Sequence, residues 1–412
     1  MGAFLMAARS LRGNLLSTVI TAFSIALSCG LMMAVYAVKE QSKDAFIMKD
    51  VGFDAVVGAK GSPMQLVLNT LYHLEKSPGN IPWSIYKEIK RNRRAVKRVI
   101  PITLGDNYFG YRMVGTVPEL FEAEETSLKL KEGRIFDPDK EEAIIGSVTA
   151  AKTGLKIGDK INAYHGLYFN PDDMHDNLFE IVGVMENTNS PNDRVIWIPL
   201  DSHYRMDGHV LRGSGEEYVP EENVEIPDEH KEVSALLIKT RSPIGAMQLS
   251  GRINRGTTAT MAYPVASAML EIFDKIGWVH KVLELISWLI VVVAAMTVLV
   301  SIYNTLNDRK REFAIQRSLG APKAHLFILI TMQAFLLSLL GVAASFGVYF
   351  LILSAAGEII REQIGIMLDY FSYTPILWQG PLIMVGIALL TSFIPAFKAY
   401  RIDVAQNLKP QG

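Results

Sequence analysis

Leu285-Ile-Ser-Trp-Leu-Ile-Val-Val-Val-Ala-Ala-Met-Thr-Val-Leu-Val-Ser-Ile-Tyr-Asn-Thr-Leu-Asn307 carries no charged residue, and Asp308-Arg-Lys-Arg-Glu312 follows at once. A helix needs about 20 apolar residues to cross about 30 Å of hydrocarbon, so the stretch reads as a membrane span that ends at a charged surface. Three further charge-free runs are long enough: Leu15–Val38, Leu326–Gly357 and Tyr370–Phe397. Trp278, Trp288 and Trp378 fall near span ends, where an indole suits the headgroup layer. The charge is concentrated elsewhere: residues 39–281 hold 30 of the 41 Lys and Arg and 35 of the 42 Asp and Glu of this 412-residue chain. That segregation excludes an ordinary soluble enzyme and a disordered tail, and the near-neutral balance favours no nucleic acid partner. The expected fold class is an α-helical membrane protein with four transmembrane helices and a large α+β extracytoplasmic domain between the first and second.

Loop charge sets the orientation. Arg9 and Arg12 precede the first span; Arg309, Lys310, Arg311, Arg317 and Lys323 lie between the second and third; Lys398, Arg401 and Lys409 follow the fourth. Only Asp308, Glu312 and Asp403 oppose them, whereas the loop with Glu358, Arg361, Glu362 and Asp369 is net acidic. Positive charge stays on the cytoplasmic side, so both termini are expected inside and residues 39–281 outside. The expected organisation is a cytoplasmic amphipathic elbow at 1–14 and spans at 15–38, 282–306, 325–356 and 374–397. The outer domain with its helical stalks occupies 39–281, a cytoplasmic segment 307–324, an outer loop 357–373 and a cytoplasmic tail 398–412. A cleaved signal peptide fits the start poorly, because the apolar run outlasts an h-region. Ala26-Leu27-Ser28-Cys29-Gly30 resembles a lipobox, but apolar residues continue past the cysteine. Cys29 is the single cysteine, so the outer domain has no disulfide and depends on an ordinary core.

Within that domain, runs rich in Val, Ile and Tyr predict strands at Asp54–Ala59, Ala95–Leu104, Tyr108–Val117, Glu142–Ile145, Asp159–Ala163, Phe179–Met185, Arg194–Pro199 and Ser234–Thr240. Helices are expected at Pro63–Lys76, Trp83–Asn92, Val148–Gly154 and Ile244–Arg255. No regular βαβ repeat appears, which favours α+β. Residues 205–232 read as an acidic, turn-forming excursion. Lys39–Lys49 and Ala266–Leu283 extend the helical patterns of the flanking spans and would form stalks.

Catalytic motifs are scarce. Gly251-Arg-Ile-Asn-Arg-Gly256-Thr257 imitates the glycine spacing of a phosphate loop but lacks its lysine. Asp172, Asp173, His175 and Asp176 are of metal-ligand type, yet a solvated turn after Asn170-Pro171 explains them equally; His203, His209 and His230 are no stronger. Glu284 reads as an interfacial carboxylate beside Lys281. Nothing here would hydrolyse a nucleotide, so no catalytic, cofactor or metal site is expected in this chain.

Two cytoplasmic segments say more. In Asn307-Asp-Arg-Lys-Arg-Glu-Phe-Ala-Ile-Gln-Arg-Ser-Leu-Gly320-Ala-Pro322, Asn307 or Asp308 can cap a short helix, Gly320 can end it in the left-handed region, and Pro322 can start the next. Ile315 and Leu319 share one side of that helix and Phe313 points to another. It would touch the membrane surface and a second protein, or else serve as a positive loop that only sets topology. At the start, Phe4, Leu5, Ala8 and Leu11 recur at helical spacing opposite Arg9 and Arg12, as in an interfacial helix.

These segments resemble those of the MacB/FtsX-like ABC transporter permeases, the mechanotransmission class. Ala7-Ala-Arg-Ser-Leu-Arg-Gly-Asn-Leu-Leu-Ser-Thr18 is similar to the family's elbow, Arg309–Pro322 to its coupling segment and Pro395–Lys409 to its C-terminal signature. Val114-Gly-Thr, Glu132-Gly-Arg-Ile-Phe, Ile157-Gly-Asp and Phe179-Glu-Ile-Val-Gly-Val resemble its periplasmic core domain. The resemblance implies a permease subunit in a bacterial cytoplasmic (inner) membrane, pairing with a second copy or a paralogue. It also implies a separate cytoplasmic ABC ATPase dimer that binds the ATP and Mg, and a periplasmic or outer-membrane partner. Arg311, Glu312, Phe313, Arg317, Leu319 and Gly320 would couple to the ATPase. Ser24, Ala26, Ser28 and Gly30, with their small-xxx-small spacing, would pack the dimer. Such machines extrude or extract hydrophobic, peptide or lipoprotein substrates; an FtsX-like subunit instead signals to an outer protein without moving cargo. Gly58-Ala-Lys-Gly-Ser-Pro-Met-Gln-Leu-Val-Leu-Asn-Thr70 departs from the family pattern, and its apolar helix, Met64–Leu74, reads as a core element or a substrate-facing one.

Overall fold

The computed structural model describes residues 2–46, 52–74, 76–124, 126–165, 174–206, 226–364 and 367–400. They fall into two compact units: a helical unit of 1–42, 276–358 and 368–412, and a sheet unit of 43–275 and 359–367.

The helical unit begins with α1 (Gly2–Gly13) and α2 (Leu15–Phe46), and continues with α8 (Val265–Asp308), α9 (Lys310–Ser318), α10 (Lys323–Ile364) and α11 (Ile376–Tyr400). Four of these helices are long and apolar enough to cross a membrane: Leu15–Lys43, Gly277–Asp308, Ala324–Gln363 and Ile376–Tyr400. As the sequence suggested, the first and second helical patterns continue past the apolar runs, α2 to Phe46 and α8 back to Val265.

The sheet unit contains β1 (Ala55–Ala59), α3 (Pro63–Leu71), β2 (Ile81–Pro82), α4 (Trp83–Arg91), β3 (Val96–Tyr108), β4 (Tyr111–Thr116), β5 (Leu130–Gly133), β6 (Glu142–Ile145), α5 (Ser147–Thr153), β7 (Lys160–His165), β8 (Met174–Met185), β9 (Ile196–Pro199), α6 (Leu200–Tyr204), β10 (Glu232–Val233), β11 (Ala235–Thr240), α7 (Pro243–Arg255) and β12 (Ala259–Ala262). Among the described residues, ten strands form one mixed sheet in the order β12-β1-β11-β3-β4-β9-β6-β8-β5, with β7 paired to β3 and β8. The β4–β9 and β6–β8 pairs are parallel. All eight expected strands and all four expected helices are present, Glu142–Ile145 with the expected bounds and the others with shifted ends.

Both faces of the sheet are buried, which explains why its strands read as continuous apolar runs. Successive residues alternate between cores: Val56, Ile100, Ile102, Leu237 and Trp197 enter one, while Val57, Val99, Leu236 and Ile238 enter the second. Farther along, Ile145, Ile161, Phe179, Ile181 and Ile196 form a third. Leu66, Val67 and Leu71 of α3 belong to the first core, so this face of the atypical apolar segment is structural. Its helix stops at Leu71 rather than Lys76, and His73 has φ +54°.

Two strands of this sheet escaped the sequence reading, as did the separate short pair β2 and β10. β5 is polar and exposed along most of its length, and β12 lacks a Val or Ile run. The glycines of two quoted motifs meet at the first of these: Gly133 pairs with Gly183 across β5 and β8. A Cβ at Gly133 would lie 2.1 Å from the Val182 carbonyl oxygen, and its φ is +85°, so a side chain is barred twice. The acidic excursion falls largely on residues 207–225, outside the described ones.

Candidate coupling helix and helical core

The short helix after the second span forms as its sequence predicts, with one difference at its start. Asn307 and Asp308 do not cap it; α8 runs through Asp308, and Arg309 alone separates α8 from α9. Arg309 instead reaches forward, its Nε donating to Glu312 Oε2 at 2.8 Å while its guanidinium lies 5.7 Å from the centre of the Phe313 ring. The C-terminus closes as a Schellman turn: Ala321 N–H donates to the Gln316 carbonyl and Gly320 N–H to that of Arg317, with Gly320 at φ +99°.

Phe313 and Ala314 are buried, at 2% and 0% exposure, whereas Arg311, Glu312, Ile315 and Leu319 are exposed, Leu319 at 82%. Arg317 is half-buried and Gly320 exposed. The six expected coupling residues therefore divide. Phe313 seats the helix, and the others, Gly320 at the closing turn, are at or near the surface. Leu319 thus leaves an apolar side chain uncovered at the end of a helix rich in charge.

The helical core is organised around α2. Three hydrogen bonds tie α2 to α8 at successive heights: Ser17 Oγ with Ser301 Oγ at 2.9 Å, Ser28 Oγ to the Ile290 carbonyl at 3.1 Å, and Tyr36 Oη to Glu284 Oε1 at 2.5 Å. The partners step in opposite directions along the chain, as antiparallel helices require. Glu284 therefore takes Tyr36, not the expected Lys281, as its partner. Against α10, Gly30 and Gly341 allow close approach: a Cβ at Gly30 would lie 2.7 Å from Val348 Cβ, and one at Gly341 2.5 Å from Ile25 Cβ. Against α11, a Cβ at Gly380 would touch Met32 and Met33.

The residues expected to pack a dimer also take part in contacts within one chain. Ala26, Ser28 and Gly30 are buried within one chain, where their small size serves contacts with α8 and α10; Ser24 is half-buried, its hydroxyl returned to the Ile20 carbonyl. Without a hydrophobic driving force between helices in lipid, close backbone approach and hydrogen bonds hold the bundle, and the small residues are already used for that. All four long helices keep uncovered apolar residues, among them Leu16, Val19, Phe23 and Leu27 on α2, and Leu285, Leu289, Val292, Met296 and Val300 on α8.

The other sequence candidates resolve individually. Gly251 lies inside α7, so the imitation phosphate loop is helical there and forms no cradle. His175 is buried with Nε2 3.4 Å from Asp106 Oδ1, and His203 Nδ1 is 3.3 Å from Asp106 Oδ2. Asp176, next on the strand, is exposed. Asp172, Asp173 and His209 lie outside the described residues, and His230 is near Glu229. Residues 401–412 of the C-terminal signature also lie outside them. Nothing in the linear order joins Asp106 to these two histidines, because the three sit on β3, β8 and α6, far apart in the chain.

A structural junction that sequence reasoning missed lies at Asp54. Its carboxylate accepts from Lys239 Nζ at 2.9 Å and from the Thr240 N–H and hydroxyl, each at 2.8 Å. Burial alone would raise this carboxyl, but the bonds from Lys239 and Thr240 outweigh it and leave it below the ordinary range.

Residues 15–255 match the family model of the MacB-like periplasmic core domain, and residues 284–404 that of the FtsX-like permease C-terminal domain. No curated protein matches the chain significantly. The first match covers more than half of the sequence, and the two follow the order of the sheet unit and the helices after it. The region between the first and second apolar helices is thus an extracytoplasmic domain of a membrane protein. With four such helices, this domain after the first, and both family models in sequence, the chain belongs to the MacB/FtsX-like ABC transporter permeases.

Proposed function

We propose that this chain is the membrane subunit of an ABC complex that couples ATP hydrolysis in a separate cytoplasmic ATPase to movement of its extracytoplasmic domain. The movement would extrude or extract a hydrophobic, peptide or lipidated substrate. The observation that carries the reading is α9: Phe313 and Ala314 anchor it inward, while Arg311, Glu312, Ile315 and Leu319 are turned outward as a mixed charged and apolar surface. Such a surface suits docking in a protein groove, with charge guiding encounter and the leucine buried on contact. ATP and Mg would be held by that partner. Both termini and α9 lie on the cytoplasmic side of a bacterial inner membrane in this reading, supported by the excess of Lys and Arg there. A second copy or a paralogue would cover the uncovered stripes of α2 and α8, and lipid the rest.

Arg311→Glu combined with Arg317→Glu tests the coupling. Affinity purification in mild detergent should recover an ABC ATPase with the wild-type chain and at least about tenfold less with the variant, since reversing two interfacial charges costs more than 1.4 kcal/mol. Equal recovery with both chains would remove α9 from the interface.

A further inference from the structure

The sheet unit contains a cleft of about 630 Å³ that no part of the coupling reading uses. Four segments distant in sequence build it. The chain after α3 supplies His73 and Lys76, the end of β3 and the start of β4 supply Asn107 and Arg112, the turn at Pro191–Arg194 supplies Arg194, and the last turn of α10 supplies Gln363. Three of these are cationic, and no Asp or Glu is among the described residues lining the cleft.

We propose that this cleft binds a phosphate-bearing ligand through Arg112, Arg194 and Lys76. Two guanidinium groups offer paired N–H donors in a fixed fork, which matches the oxygens of a phosphate, and the lysine at the exposed rim adds a mobile third charge. A carboxylate would satisfy one such group; two arginines and a lysine suit a group with three acceptor oxygens and up to two charges. The cleft has room for more than the phosphate itself, since small-ligand sites run from about 300 to 1,000 Å³.

The surroundings keep the arginines in place. Both are partly buried, and burial pushes both guanidinium groups down from their ordinary value. The guanidinium of Arg194 lies 5.4 Å from the centre of the Tyr111 ring. Glu362 is near Arg194 but is paired with Lys152 at 3.1 Å, so its charge is shared. Burial and the Arg112 charge push His73 down to about 4, against the opposing bond with Asn192, which leaves it a neutral hydrogen-bonding group at pH 7. Its Nε2 meets Asn192 Oδ1 at 3.0 Å, while its Nδ1 has no hydrogen bond among the described residues. Gln363 belongs to the last turn of α10, within the segment 359–367 that is part of the sheet unit. The site goes beyond the permease reading and does not require the ATPase.

The test is calorimetric titration of the full chain in neutral detergent at constant ionic strength, with inorganic phosphate and with dihexanoyl phosphatidic acid as probes and chloride as control. Saturable phosphate binding, weakened about ten- to a hundredfold by Arg194→Gln and a few-fold by Lys76→Gln, is expected. Tighter binding of phosphatidic acid than of phosphate would identify a lipid headgroup as the source; equal or weaker binding would identify a soluble phosphate ester. Lys76 is exposed, so its variant keeps the fold intact should Arg194→Gln lower the melting temperature. No saturable heat with either probe, an equal response to chloride, or binding unaffected by both substitutions would overturn the site.

Discussion

The carbonyl oxygen of Asp54 accepts the backbone N–H of Val265 at 3.1 Å, so the residue before β1 is bonded to the first residue of α8. The two passages of the chain into and out of the sheet are thereby joined. The Asp54 backbone N–H donates to Ile238 at 2.9 Å and its carboxylate is held by Lys239 and Thr240, which adds β11 to the junction. The joint thus ties β1, β11 and the start of α8 into one connected piece of the sheet unit.

Asp54→Ala should accordingly lower stability by about 1–3 kcal/mol, since it leaves the Thr240 donors without their acceptor and Lys239 without its counter-charge. Thermal unfolding of the full chain in detergent measures this. An unshifted transition would show that the junction is held by the backbone alone.

The Tyr36–Glu284 bond gives a separate prediction within the helical unit. Tyr36→Phe and Glu284→Gln should each destabilise the α2–α8 pair by about 0.5–2 kcal/mol, and the double variant should cost less than the two together. Full additivity in the double-mutant cycle would mean that the two groups do not interact in the membrane.

Glycine positions discriminate between packed and open surfaces. Gly341→Ala puts a Cβ 2.5 Å from that of Ile25 and should cost about 1–3 kcal/mol or prevent assembly, whereas a Cβ at Gly386 meets nothing within 4 Å and Gly386→Leu should be tolerated far better by the isolated chain. Melting temperatures of the two purified variants decide it. If Gly386→Leu melts normally but no longer forms dimers, that face is an interface between copies.

Stability should fall with acid in two stages. The His73 value is depressed to about 4 from an ordinary 6.5, so its contribution is complete above pH 6.5 and is lost as pH falls towards 4. Glu142, held down first by its paired bonds from Arg134 at 2.6 Å each, and Asp54 contribute above the ordinary carboxylate range and lose that contribution as pH falls through their depressed values. His73→Gln should flatten the decline between pH 6.5 and 4 and leave the later one unchanged. Melting curves across that range, identical for the variant and the wild type, would discard the assignment.

Topology is testable with a single probe. Cys29 is the native cysteine and is buried, which gives a quiet background. Thr257→Cys should react with an impermeant thiol reagent in intact spheroplasts and Ser318→Cys should not, both sites being exposed. The reverse pattern would invert the chain.

Composition and order alone determined the four spans, the position of the large domain and eight of its strands. Hydrophobicity over about 20 residues and alternation over about 5 are local quantities, fully written in the chain. The end of α9 was also local, because Gly320 and Pro322 act on their own backbone. Tertiary structure decided what each exposed or small residue does. Ser28 and Gly30 could face a second subunit or their own helices, and only the approach of Ile290 and Val348 settles the matter for one chain. Phe313 and Leu319 are both apolar on one short helix, yet one is 2% and the other 82% exposed. Asp54 reads as an ordinary turn aspartate until β11 and α8 arrive beside it, and Arg112, Arg194 and Lys76 become one cationic cleft only through the folding of four remote segments. Contacts of this kind depend on which surfaces the sheet and bundle bring within a few ångströms, and a linear sequence fixes that distance only through the whole fold.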